Sequence, residues 1–136
     1  YAANSIECLL VNTTGELKHF YEYATVIYVG KSLTANGGQS PIEAAASGRP
    51  VVFGPNMQNF TDVVRSFLMQ NGAVQVQDAA ELGEALASLL GDEARREELG
   101  RNALQVVKEN LGAIDRTVDM IVAHLEGGKM FVAPRW

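Results

Sequence analysis

The sequence predicts an α/β fold: a parallel sheet with helices packed on both of its faces. Short β-rich runs alternate with segments of helical period, which is the pattern of βαβ units. The first run, Glu7 to Asn12, is apolar through its centre, as a strand covered on both faces is. Three segments that fall at the carboxyl edge of such a sheet, where ligands of open parallel sheets bind, are rich in Gly, Ser, Thr or Asn. The turns of the opposite edge lack that composition.

Glu7-Cys8-Leu9-Leu10-Val11-Asn12 is the predicted first strand. Thr13 and Glu16 stand at capping-box spacing and open a helix through about Ala24, with Leu17, Phe20 and Tyr21 on one face. Val26–Val29 is the second strand, ended by Gly30. The loop from Lys31 to Ser40 follows, and its Asn36-Gly37-Gly38 stretch demands unusual backbone angles. Ser40 suits an N-cap, Pro41 the first helical position, and Glu43 completes Ser-x-x-Glu. Ala44-Ala45-Ala46 lets that helix pack closely on the sheet, and Gly48 ends it. Pro50–Phe53 is the third strand, closed by Gly54-Pro55. Asn59 to about Asn71 is an amphipathic helix with Val63, Val64, Phe67 and Leu68 on one face, stopped by Gly72. Ala73–Val76 alternates in polarity and is predicted as an edge strand. Asp78 to Glu81 caps a helix to Leu90, Asp92–Asn110 is a charged helix, and Ala113–Leu125 is another. The mixed charges of Glu93–Arg101 read as a solvated helix face. Residues 1–126 are expected to form the domain and residues 127–136 a tail of no clear period.

The 136 residues suit one domain or a piece of a larger protein. Hydrophobic residues at 47% and charged residues at 20% exclude a disordered chain. The net charge of −5 argues against a nucleic-acid binder, which would carry a basic face. Cys8 is the single cysteine, so neither an internal disulfide nor a cysteine metal cluster is possible. No apolar run approaches the roughly 20 residues of a membrane span. The chain opens at Tyr1 without Met or signal peptide, and we expect a domain cut from a longer protein.

The middle loop carries the sharpest chemical signal. Gly37-Gly38-Gln39-Ser40 runs into a helix start, where glycines let a ligand approach and free N–H groups favour an anion such as phosphate. Glu43, one turn in, would be repelled by that phosphate and is suited instead to accept the two hydroxyl protons of a ribose diol. The plainer reading is equally open: a capping box and glycine turns with no ligand. The pair is neither a G-x-G-x-x-G fingerprint nor a G-x-x-x-x-G-K-[ST] loop. Thr13/Glu16 reads first as a cap, Asn56 and Asn59 as turn formers, and Met57 and Met69 as filling. Lys31 reads as solvated, with phosphate pairing as its functional alternative. His19 and His124 read as surface residues, and no Ser/His/Asp set emerges.

The order of motifs resembles a family. Val11-Asn12-Thr13-Thr14-Gly15-Glu16-Leu17, Val29-Gly30-Lys31-Ser32-Leu33, Gly37-Gly38-Gln39-Ser40-Pro41-Ile42-Glu43 and Pro50 through Phe60 are similar to the C-terminal half of 3-deoxy-D-manno-octulosonic acid (Kdo) transferases. The likeness runs from about Glu7 to about Leu125. The Gly-Gly-x-x-Pro-x-Glu element is common to GT-B transferases, whereas Thr-Thr-Gly-Glu-Leu and Phe-Gly-Pro-x-Met-x-Asn-Phe are narrower. The resemblance implies a Rossmann-like, donor-nucleotide-binding domain, the C-terminal half of a GT-B fold truncated at its N-terminal end. It implies transfer of Kdo from CMP-Kdo to a lipid A precursor, without cofactor or metal. The acceptor and the catalytic carboxylate belong to the N-terminal domain, so no catalytic residue is expected in this chain and the fragment alone would be inactive. It also implies partners: a nucleotide sugar, no nucleic acid, and a membrane surface only for the full-length protein at the cytoplasmic face of the bacterial inner membrane. Carried across, Gly37, Gly38, Gln39 and Ser40 would face the donor's phosphate and sugar, and Glu43 would hold the ribose. Thr14, Gly15 and Glu16 would lie at the same cleft edge, with Met57 and Asn59 near the nucleotide or sugar. The family usually has His-Asn at Gln39-Ser40, Gly at Lys31 and Pro at Ala44; Lys31 would replace the positive charge lost with the imidazole. Phe131 and Trp136 of the tail would pack on the partner domain; the equally open plain reading is a frayed terminus. Two other readings predict different ligands: another GT-B protein using a UDP-sugar, or a non-catalytic α/β interaction module that binds no nucleotide.

Overall fold

The computed structural model describes residues 7–126, so the tail with Phe131, Pro134 and Trp136 lies outside the described residues. The elements are α1 (Leu17–Tyr21), β1 (Ile27–Val29), α2 (Ile42–Ala46), β2 (Val51–Phe53), a 3-10 turn (Gln58–Phe60), α3 (Thr61–Met69), β3 (Val74–Gln75), α4 (Ala79–Gly91) and α5 (Glu93–Glu126). The sheet runs β1-β2-β3, all parallel, with Ile27 opposite Val51 and Val52 opposite Val74.

Alternation along the strands builds two cores. Ile27, Val29, Val51 and Phe53 point to one face, where Ala44 and Ala45 of α2, Phe67 of α3 and Ala103 and Val106 of α5 cover them. Tyr28 and Val52 point to the other, under Val76, Leu89 of α4 and Leu99 of α5. β2 is therefore buried along its whole length, as its unbroken apolar run predicts. Ala44 and Ala45 are at most 1% exposed, and their size lets this short helix sit directly on the sheet.

Several elements depart from the sequence reading. Glu7–Asn12 forms no strand: β1 is laddered only to β2, and Leu9 and Leu10 are 64% and 84% exposed. A strand needs a neighbour to satisfy its backbone, and β propensity without one leaves the run irregular. α1 ends at Tyr21 rather than Ala24. The Thr13 hydroxyl bonds the Glu16 carboxylate instead of a backbone N–H, so the expected capping box does not form. The amphipathic helix begins as a 3-10 turn at Gln58 and becomes α-helical from Thr61 to Met69. β3 is reduced to Val74–Gln75, at the sheet edge as expected. The two C-terminal helices are one, α5, of 34 residues and about 51 Å at 1.5 Å per residue. Gly112 does not break it, because an isolated glycine costs a helix only about 1 kcal/mol. The Asp78 cap forms as read: its carboxylate accepts from the N–H groups of Ala80 and Glu81, both at 2.9 Å.

Candidate functional site

The loops leaving β1 and β2 meet at the carboxyl edge of the sheet, and Ser32 joins them. Fully buried, its hydroxyl donates to the Val29 carbonyl at 2.7 Å and accepts from the Gly54 N–H at 2.7 Å. The Ser32 carbonyl accepts from the Asn56 N–H at 2.9 Å. The approach is so close that a Cβ on Gly54 would lie 2.5 Å from that carbonyl oxygen. Sequence reasoning missed Ser32. A serine shortly after a strand is a weak sign of a side-chain turn, but its partner 22 residues on has no local signature.

The glycine pair serves the same junction. Gly37 and Gly38 have φ of +95° and +60°, the left-handed region the loop was expected to need. Both are buried. A Cβ on Gly37 would meet the Asn59 side chain at 2.7 Å, and one on Gly38 would meet the Met57 sulfur at 2.5 Å. The Gly37 N–H is not free for an anion: it donates to Oε1 of Gln58 at 2.9 Å. Met57, 3% exposed, belongs to the core. These residues bind loop to loop.

The expected helix start is also modified. α2 has only five residues, and Pro41 takes its N-cap position. Ser40 Oγ accepts from the Ile42 N–H at a long 3.4 Å, and no bond returns from Glu43, so the Ser-x-x-Glu box is not closed. The Glu43 side chain is thereby left available to a cleft of about 670 Å³. Gln39, Ser40 and Glu43 form the polar corner of this cleft, and α1 (Leu17, Phe20, Tyr21) and the outer edge of β1 form its apolar wall. Burial, and secondarily the Glu43 carboxylate, raise the Tyr21 phenol above its ordinary 10.0. Lys31, exposed and at φ +68°, follows Gly30 at the cleft rim. Thr14, Gly15 and Glu16 are exposed and do not line the cleft, which α1 enters only from Leu17. Asn59 lies over Gly37 and faces another hollow. A separate apolar groove of about 390 Å³ runs between Pro55, Met57 and Gln58 on one side and Arg65 and Leu68 of α3 on the other.

Of the eleven sequence-predicted binding residues, three therefore share the cleft. Tyr21 joins them, unforeseen because its helical period marked it as core. Among the described residues, no group of three or more His, Cys, Asp or Glu side chains converges, and no helix is long and apolar enough to cross a membrane.

Residues 3–106 match the family described as glycosyl transferases group 1. The chain is 33% identical over 121 residues to a 3-deoxy-D-manno-octulosonic acid transferase of Haemophilus influenzae, covering 88% of this chain and 28% of that protein. A 3-deoxy-D-manno-octulosonic acid transferase of Bordetella pertussis is 36% identical over 116 residues, covering 85% and 27%. The chain thus spans about a quarter of the length of these relatives. The crystal structure of the C-terminal CMP-Kdo binding domain of WaaA from Acinetobacter baumannii superposes with a TM-score of 0.66 at 28% identity, covering 71% of this chain and 51% of that one.

Proposed function

Since the chain belongs to the glycosyl transferases group 1 family, we propose that it is the donor-binding part of a Kdo transferase, which moves Kdo from CMP-Kdo to a lipid A precursor. The observation that supports this most is the likeness, in both sequence and fold, to a domain described as CMP-Kdo binding. In this reading Glu43 accepts the two ribose hydroxyls, and Gln39 and Ser40 hydrogen-bond the phosphate and sugar. α2 is too short to offer much of a dipole, and Gly37 is engaged with Gln58. Stabilisation of the leaving CMP phosphate thus falls to the polar side chains of Gln39 and Ser40 and to the Lys31 ammonium, not to the Glu43 carboxylate. The carboxylate that deprotonates the acceptor hydroxyl belongs to the remaining three-quarters of the protein, which would work at the cytoplasmic face of the bacterial inner membrane. No metal is part of this reading, so EDTA is expected to leave CMP binding unchanged.

The test is an NMR titration of the isotope-labelled chain with CMP, with UMP and UDP as controls. Amide shifts confined to residues 30–43, and stronger for CMP, are expected. A preference for UDP would reassign the donor to a UDP-sugar, and no response at millimolar nucleotide would overturn the reading for this chain.

A further inference from the structure

Two adjacent glycines at positive φ give the loop after β1 its shape and also its freedom: a Gly-Gly segment holds one conformation only when something outside it does the holding. The first half of the loop ties itself, through the Thr34 and Ala35 N–H groups donating to the Lys31 carbonyl at 3.1 and 3.0 Å. The second half is held from a different element. Gln58 reaches across from the 3-10 turn before α3 and accepts the Gly37 N–H at 2.9 Å. Gln58 is itself fixed: the Thr61 hydroxyl donates to its carbonyl at 3.0 Å, and the Phe60 N–H donates to the Met57 carbonyl at 2.9 Å. Its neighbours press on the same pair, Asn59 against Gly37 and Met57 against Gly38. Gln58 lines the groove beside α3 and not the cleft of Glu43, so its carboxamide acts on that cleft only through Gly37.

We propose that Gln58 is a positioning residue for the donor: by holding Gly37 it sets where Gln39 and Ser40 present their polar groups to the nucleotide. The proposal rests on the donor-binding reading above. Gln58 takes no part in chemistry and touches no donor atom; it removes conformations of the loop that cannot bind.

The experiment compares the full 136-residue chain with its Gln58→Ala variant by Gly37 amide hydrogen exchange, thermal melting and CMP titration. The expected result is lost protection at Gly37, a lowered melting temperature in a chain that still folds, and CMP affinity weaker by roughly 2- to 10-fold, the worth of one hydrogen bond. Gln58→Glu keeps an acceptor oxygen of the same reach. It should retain Gly37 protection and bind cytidine, which has no phosphate to repel, as the wild type does. Wild-type CMP affinity in Gln58→Ala despite lost protection would overturn the positioning role and leave the donor reading intact. CMP binding absent from the wild type while Gly37 protection still depends on Gln58 would overturn the donor reading, and the positioning role with it.

Discussion

At the scale of single residues, the side chains that shape the site are mostly not the ones that face it. Ser32 touches no cleft, yet its hydroxyl satisfies two backbone groups in two loops. Ser32→Ala would leave the buried Gly54 N–H without its acceptor, and we expect a loss of about 1–3 kcal/mol in urea unfolding. Lys31 sits at φ +68°, where a side chain costs roughly 1–2 kcal/mol and glycine almost nothing. Lys31→Gly should therefore raise the unfolding midpoint while weakening CMP binding, which separates the conformational demand from the charge. Tyr21 gives a pH signature. Its folded-state pKa lies above the unfolded value, so the folded state holds the phenolic proton more tightly. Stability is then full below about pH 10 and falls as pH rises through the folded pKa. Tyr21→Phe should abolish that alkaline fall in denaturant titrations, and Glu43→Gln should reduce it. The residue types of the site were legible because Gly-Gly and Glu43 each have a distinctive chemistry. Ser32, Gln58 and Tyr21 were not, because what matters in each is a partner or neighbour on another element.

At the scale of elements, the sequence located every helix among the described residues, and errors came at the ends and in dividing α5 in two. Capping residues were found at Asp78, where the carboxylate meets N–H groups of its own first turn. They failed at Thr13 and Ser40, where short helices let the side chains choose other partners. The run Glu7–Asn12 has strand composition without a strand's neighbours, and composition does not record neighbours. Close packing leaves a sharper mark. Gly100 in α5 lies against the turn after α2, and a Cβ there would come within 2.0 Å of the Gly48 carbonyl oxygen. Alanine usually helps a helix by about 1 kcal/mol over glycine. Here the clash dominates, and Gly100→Ala should lower stability by about 2 kcal/mol or more, measured by thermal unfolding.

At the scale of the whole molecule, the alternation of strands and helices was enough to predict a parallel sheet covered on both faces, and the structure has it. The motif order pointed to Kdo transferases, and the relatives at 33% and 36% identity carry that name. What the alternation could not convey is how unevenly the chain is packed. Leu99, Ala103, Val106 and Val107 anchor the first half of α5 in the cores. Beyond Asn110, Leu111, Val118 and Ile121 are more than half exposed. A helical stretch of about 15 residues that leaves these apolar side chains more than half exposed gains little from packing and is marginal in water. Heating should therefore disclose two events. Far-UV ellipticity should decline gradually from low temperature as the distal turns of α5 unwind, while the near-UV signal of the tyrosines stays flat until the cores give way in one narrow step. Superimposable curves would show instead that the outer half of α5 shares the cooperativity of the domain.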